Sequence, residues 1–385
     1  MTPIPDTETA RPLLTASHLE FAKAVGAFAA RELATRPAPA DDAAARLEAR
    51  ALLGLLGAGG WLDPIRRQDW RACCLAREAL AAASPLADAV FALQALGTLP
   101  ILASGNAAML ERWAEPALAG RAMGAFAMTE KNAGSDVGAL ETTARRDGQH
   151  VVLDGAKRFI SNAGIADFYT VFASTDRAAG ARGISCFVVP SDTQGLRFVG
   201  AQVLSAPHPL GEIAFEGCRV PATNRLGEEG RGFALGLQVL DRLRATVGAA
   251  ACGMAARALD EALRHARTRR QFGKPLAEFQ LVQDKLARMA TELAAARLLV
   301  HRAAWQADQG AGRVTLEAAV AKSYATEAAQ RIVDEAVQIL GGEGVLAAHP
   351  VDRLYRAVRA LRIYEGATDI QRLVIAGQLL KEGGS

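Results

Sequence analysis

Residues 360–372 read Ala-Leu-Arg-Ile-Tyr-Glu-Gly-Ala-Thr-Asp-Ile-Gln-Arg, and Glu365 is the group among them best suited to chemistry. A lone carboxylate follows an apolar-aromatic pair and precedes a glycine, near the end of a long helical region. Burial disfavours its charged form and raises its pKa, by up to ~3–5 units when burial is complete. A Glu tuned in this way takes a proton from carbon at physiological pH. The same place also suits a solvated Glu that favours the dipole of a helix start. Upstream, Gly124-Ala-Phe-Ala-Met-Thr-Glu130 followed by Ala133-Gly-Ser-Asp136 leads an apolar strand into small hydroxyl residues and glycine. Such a loop can present backbone N–H groups and short side-chain donors to a flat, polar ring. Gly155-Ala-Lys-Arg-Phe-Ile-Ser-Asn162 then reads as a strand carrying an aromatic beside a hydroxyl residue. Each segment, taken alone, also reads as an ordinary β-turn with a core Phe.

Other chemistries drop out. Gly54, Gly57, Gly59 and Gly60 do not fit G-x-G-x-x-G, nor do Gly227, Gly230, Gly232 and Gly236, and neither set lies in a strand-to-helix unit. No G-x-S-x-G elbow occurs, and the 6 His lack H-x-x-x-H spacing, so no metal site is expected.

Three zones must position these residues. From about Ala16 to Gly120 the chain is Ala/Leu-rich with helical spacing, broken at Gly59-Gly60 and Ser84-Pro85. From Ala122 to Gly230 short β-rich runs appear: 151–153, 168–173, 184–189, 196–199 and 213–220. Asp147-Gly148, Asp154-Gly155, Asp192 and Gly211 punctuate them as turns. With no helix between the strands, an antiparallel barrel or sandwich is expected rather than a parallel sheet. From Gly232 long helices return. Val282, Leu286, Met289, Leu293, Ala296 and Val300 form a bundle-facing stripe, and Gly273 with Pro275, 310–312 and 341–344 separate three or four helices. The expected domains are 1–121 (helical), 122–231 (β) and 232–385 (helical bundle).

At 385 residues, with 50% apolar and 22% charged residues, the chain has the composition of a soluble globular enzyme. A net charge of +3 without a Lys/Arg block gives no nucleic-acid footprint. The 5 scattered cysteines, with no Cys-x-x-Cys pair, suit a reducing cytoplasm. Met1 to Ala10 does not read as a signal peptide. Residues 89–110 are uncharged but interrupted by Gly97, Pro100, Ser104, Gly105 and Asn106, so they read as buried helix plus loop, not a membrane span. The expected location is cytoplasmic.

Together the segments resemble the acyl-CoA dehydrogenase family. One signature is Phe126-Ala-Met-Thr-Glu…Ala-Gly-Ser-Asp136. The other is Gln338-x-x-Gly-Gly-x-Gly344…Arg353-x-Tyr-Arg356…Ile363-Tyr-Glu-Gly366. Between them lie Val220-Pro221…Asn224-x-Leu-Gly227 and Arg269-x-x-Phe-Gly-x-Pro-Leu-x-x-Phe-Gln280. The resemblance covers about Leu13 to Leu380.

It implies an α+β multidomain fold: an N-terminal α-helical domain, a central antiparallel β-barrel and a C-terminal four-helix bundle. It implies non-covalent FAD and a homotetramer built as a dimer of dimers. Phe126, Met128 and Thr129 would contact the polar edge of the flavin, with Phe159 and Ser161 flanking the ring. Arg269, Phe272, Gln280, Gln338 and Gly342 would hold the FAD of the neighbouring subunit, and a guanidinium suits a pyrophosphate there. Ser135, Asp241 and Arg244 match positions that contact the thioester or pantetheine arm, with Tyr364 and Gly366 beside the base. Asp241 and Arg242 also suit a solvated helix face.

The implied reaction is α,β-dehydrogenation of an acyl-CoA to the trans-2-enoyl thioester. Glu365 takes the α-proton, the β-hydride passes to flavin N5, and an electron-transfer flavoprotein or other acceptor reoxidises the cofactor. A dehydrogenase or oxidase acting on a carrier-protein thioester, and a non-catalytic flavoprotein, are the alternatives. Some relatives place the catalytic carboxylate just before the matching arginine; here that residue is Leu243, which leaves Glu365. Phe159 stands where many members carry Trp, Ala367 where many carry Thr, and Ala357 where Asp is common. Asp369 replaces a commoner Glu, Gln or Asn and can still reach a polar cofactor atom. Residues 205–212 also depart from the family pattern. Ala245, Gly248 and Ala249 would admit a branched or cyclic acyl group, or else serve close helix packing.

Overall fold

A computed structural model describes residues 5–310 and 312–382. The first helices are α1 (Ala16–Phe28), α2 (Asp42–Ala58), α3 (Asp63–Arg67), α4 (Trp70–Ala83), α5 (Pro85–Ser104), α6 (Ala107–Met109) and α7 (Glu115–Leu118). Their starts are chemically marked. Asp41 accepts from Ala44 N–H ahead of α2, and Asp69 from Ala72 N–H ahead of α4, each satisfying a donor that the helix leaves free. The expected breaks at Gly59-Gly60 and Ser84-Pro85 are both present. Gly97 and Pro100, read as interruptions, instead lie inside α5, which continues to Ser104. By length and composition α5 could cross a membrane, but 78% of its most apolar window is buried. It is a core helix.

The strands are β1 (Gly124–Ala127), β2 (Thr143–Asp147), β3 (His150–Ser161), β4 (Phe168–Ser174), β5 (Ile184–Pro190), β6 (Leu196–Ala201), β7 (Leu210–Pro221) and β8 (Arg225–Leu226). All five β-rich runs of the sequence are strands. The pairing order is β6-β7-β3-β2-β4-β5-β8, with β1 added alongside β4. It does not close into a barrel, contrary to the expectation. Two mainly antiparallel halves meet at a single parallel rung, Thr143 opposite Ser174, and through a 3.0 Å bond from Arg158 N–H to the Thr129 carbonyl. Their apolar faces share one core that includes Leu153, Val171, Phe187, Ile213 and Phe215.

Two expected turns are strand interior. Asp154-Gly155 lies in β3 opposite a bulge in β7: between the pairs Leu153–Cys218 and Gly155–Phe215 the extra residue is on β7. Gly155 has φ +145 and a Cβ there would sit 2.6 Å from Thr142 Oγ1, so glycine is required. Gly211 lies inside β7, where the Phe198 ring and the Gly200 carbonyl leave no space for a side chain.

Beyond the sheet come α8 (Gly232–Thr268), the hairpin β9 (Arg270–Gln271) and β10 (Lys274–Pro275), α9 (Gln280–Asp308), α10 (Thr315–Leu340), α11 (Pro350–Leu361) and α12 (Thr368–Glu382). That is five helices, one more than the marked breaks predict, because the chain also turns at residues 362–367. Met289, Leu293, Ala296 and Val300 of the α9 stripe are buried, while Val282 and Leu286 at its start are half-buried. Two compact units divide the chain. The helical unit comprises the chain up to Ala38, Gln68–Asp88 and everything from Asp241; the sheet unit comprises Pro39–Arg67 and Ala89–Leu240. In the helical unit α10 packs against α9, α11 and α12, and α4 against α1 and α9.

Candidate active site

In the helical unit the turn between α11 and α12 carries Tyr364, Glu365 and Gly366. Glu365 adopts φ +53 and Gly366 φ +92, and the former is a rare conformation for a residue with a Cβ. Neighbouring side chains hold the turn there. Lys322 of α10, fully buried, donates 2.8 and 2.6 Å bonds to the carbonyls of Tyr364 and Gly366. Gln371 donates to the carbonyls of Gly366 at 3.1 Å and Glu365 at 3.4 Å, and Arg244 reaches the latter at 3.4 Å.

The Glu365 side chain is half-buried, and its Oε2 is sealed from solvent without a hydrogen-bond partner among the described residues. Desolvation pushes its pKa above the ordinary Glu range, opposed by the positive charges of Arg77, Lys322 and Arg244 and assisted by Asp88. Among the described residues no cation lies within ion-pair distance of it. Burial pulls Lys322 down to about 8, against the pull of Glu365. The result is a carboxylate surrounded by positive charge yet bonded to none of it.

Supporting charges come from α4, α5 and α8. Arg77, buried in α4, gives Nε and Nη2 to Asp88 at 2.7 and 2.9 Å and Nη1 to Thr246 at 2.9 Å. Arg244 is 6% exposed and pairs with Asp241 at 2.5 Å, whose other oxygen accepts from Thr315 at 2.6 Å. Asp241 is therefore packed and bonded, and the solvated helix face does not describe it; Arg242 is half-buried and reaches the Ala307 carbonyl at 3.5 Å. Leu243 is buried. Gly248 faces Val300 and Ala325, and a Cβ there would lie 2.7 Å from the Val300 side chain. Close helix packing accounts for this small residue.

The sheet unit holds the second group. Lys157, fully buried, bonds to Glu130 at 2.6 Å and to the Met128 carbonyl at 3.2 Å. Glu130 in turn accepts from the N–H groups of Glu141 and Thr142. Burial draws Lys157 down to about 8, so the pair stays ionic at neutral pH and fixes the loop carrying Thr129 and Ser135. Ser135 is exposed. The Phe126 ring lies 4.8 Å from that of Phe172, tilted by 52°. Met128 is 3% exposed and packs into the core, leaving only its backbone for a ligand. Phe159, at φ +54, is 54% exposed with the Arg158 guanidinium over its ring. Ser161 meets His208 at 2.8 Å. This imidazole, which burial lowers to about 4, is what residues 205–212 supply.

The remaining sequence-derived residues lie on the surface of the helical unit. Arg269, Gln280, Gln338, Gly342 and Asp369 are exposed, and Phe272, at the hairpin tip with φ +49, is 93% exposed. Sequence reasoning missed Arg77, Asp88, Lys322 and Gln371. A signal existed for Lys322: it falls on the stripe Ala318, Ala325, Ala329, Ile332, whose 4-3-4-3 spacing buries it.

The helical unit thus carries a carboxylate of raised pKa on a strained turn, and the sheet unit a loop of small hydroxyl residues beside an exposed aromatic. Residues 230–380 match the acyl-CoA dehydrogenase C-terminal domain and residues 125–218 its middle domain. The chain is 37% identical over 378 residues to a probable acyl-CoA dehydrogenase, FadE25, of Mycobacterium tuberculosis, covering 96% of both. It is 44% identical over 288 residues to the human mitochondrial short-chain specific acyl-CoA dehydrogenase, covering 73% of this chain and 69% of that one. It superposes on butyryl-CoA dehydrogenase of Megasphaera elsdenii with a TM-score of 0.88 at 34% identity, covering 95% of this chain and 99% of that one. The chain belongs to the acyl-CoA dehydrogenase family.

It is accordingly an FAD-dependent oxidoreductase. The sheet unit fits such a group. The Thr129 hydroxyl has no hydrogen-bond partner among the described residues, Arg158 Nε is buried without one, and the Phe159 ring offers an open aromatic face.

Proposed function

We propose that the protein dehydrogenates an acyl-CoA thioester to its trans-2-enoyl form, with Glu365 as the base. The observation that carries this reading is the Glu365 carboxyl, whose Oε2 is desolvated and unpartnered. A carboxylate whose pKa is raised, but which three cations keep from full neutralisation, is matched to lifting a weakly acidic α-proton. FAD, when bound, supplies the acceptor for the β-hydride.

The chain's own groups do the rest. The N–H of Glu365 makes no hydrogen bond of ordinary geometry among the described residues, and it donates to the thioester oxygen as negative charge develops there. One such donor is typically worth ~2.7–4 kcal/mol. Tyr364 and Gly366 border the reacting carbon. Arg244, braced by Asp241, and Ser135 on its exposed loop take the thioester and pantetheine arm.

Phe126, the Met128 backbone, Thr129, Phe159 and Ser161 hold the flavin ring, and Asp369 a polar atom of the cofactor. Arg269, Phe272, Gln280, Gln338 and Gly342 serve the FAD of a neighbouring subunit in a homotetramer. Their exposure supports this, above all that of Phe272, an aromatic with 93% of its surface in solvent. An electron-transfer flavoprotein takes the electrons on. The names of the human and Megasphaera relatives support a short acyl group.

The test is Glu365→Gln in the FAD-loaded protein. The variant should keep its FAD and bind butyryl-CoA but lose flavin bleaching by that substrate; full bleaching would overturn the assignment.

A further inference from the structure

Lys322 is a fully buried cation with no carboxylate within ion-pair distance among the described residues. Its hydrogen bonds go to two backbone carbonyls, those of Tyr364 and Gly366. These flank Glu365, the residue held at φ +53. Burying an ammonium without a counter-ion is costly, and a helix that needed only to pack would carry Ala here, as it does at Ala318, Ala325 and Ala329.

The geometry of the peptide unit shows what the cost achieves. No described peptide bond is cis. In a trans peptide the C=O of one residue and the N–H of the next point in opposite directions across a rigid plane. The Tyr364 carbonyl and the Glu365 N–H belong to one such plane. Drawing that carbonyl 2.8 Å from Lys322 aims the Glu365 N–H directly away from α10. The 2.6 Å bond to Gly366 anchors the far side of the turn. Gln371 helps hold it, from α12.

We propose that Lys322 is the positioning residue of the active site: by clamping the carbonyls on either side of Glu365 it sets both the aim of the N–H that receives the thioester oxygen and the left-handed backbone that carries the base. Lys322 touches neither substrate nor reacting atom, so it acts on turnover more than on affinity. The inference rests on the reading of Glu365 as the base.

The test uses FAD-loaded wild type, Lys322→Met and Glu365→Gln with butyryl-CoA. Lys322→Met keeps the length of the side chain and removes the donors. Its kcat should fall on the order of a hundredfold, the scale of losing one oriented donor, with KM within about threefold and FAD content unchanged. A kcat within about threefold of wild type overturns the proposal. So does a loss of kcat accompanied by loss of FAD, which would mark a merely structural lysine.

Should Lys322→Met fail to fold, hydrogen exchange of the 362–367 segment in wild type decides. Binding of crotonyl-CoA should slow exchange there while CoA alone does not; equal protection by both overturns the proposal. Full bleaching of Glu365→Gln overturns the underlying reading. A dead Glu365→Gln beside a normal Lys322→Met overturns the Lys322 assignment alone.

Discussion

Asp88 takes both Nε and Nη2 of Arg77, at 2.7 and 2.9 Å, with the two side chains at 2% and 1% exposure. A pair this deep is stable only as a pair. Removing one partner leaves a buried charge and typically costs about 3–5 kcal/mol, whereas replacing both by apolar groups is often neutral. Asp88→Leu alone should therefore lower the thermal midpoint sharply, and Arg77→Met/Asp88→Leu should recover most of the loss. Calorimetry on the three proteins checks this, and an additive double variant would refute it.

The same arginine bears on Glu365 through charge. As the proposed base, Glu365 has to be ionised to accept a proton, and burial places its pKa above the usual 4.5. The single-turnover bleaching rate should therefore fall as pH drops through a value higher than an ordinary Glu would give. Arg77 is the strongest of the cations opposing that shift. Arg77→Met should move the limb to still higher pH. A limb that stays in place would show that Arg77 does not act on the base.

His301 of α9 offers a measurement independent of catalysis. It is 0% exposed, neither ring nitrogen has a partner among the described residues, and burial lowers its pKa from 6.5 to about 4. The unfolded chain therefore binds the proton first as pH falls. The stability carried by neutral His301 is whole above about pH 6.5 and is lost towards pH 4, a swing of about 3 kcal/mol. His301→Leu should flatten the acid side of the stability-against-pH curve. An unchanged slope would assign the acid lability elsewhere.

What could be read from the sequence was whatever is local. Glu365 announced itself through its neighbours, and the strands through short β-rich runs between turn formers. The groups that hold Glu365 did not. Lys322 lies 43 positions earlier and Arg77 in another helix altogether, and a single cation among alanines reads as a helix-favouring surface residue until the stripe is counted. Asp154-Gly155 looked like a turn because a strand facing a bulge needs glycine for the same reason a turn does, a backbone that only glycine adopts readily. The open sheet was hidden for a related reason: closure depends on register, and bulges shift register without changing the pattern of apolar residues.

The join between the two sheet halves has a mechanical consequence. One rung at Thr143 and Ser174 gives little resistance to shear, so the halves are held by the apolar contact between them, with Leu153, Val171, Phe187 and Phe215 on its surfaces, and by the few bonds that Lys157 and Arg158 make to the 128–130 segment. Apolar contact is non-directional, where a hydrogen-bond ladder locks each residue to one opposite number. The loop bearing Thr129 and Ser135 is thus stitched across the joint by Lys157 and Arg158, so any movement of one half against the other is felt first at that loop.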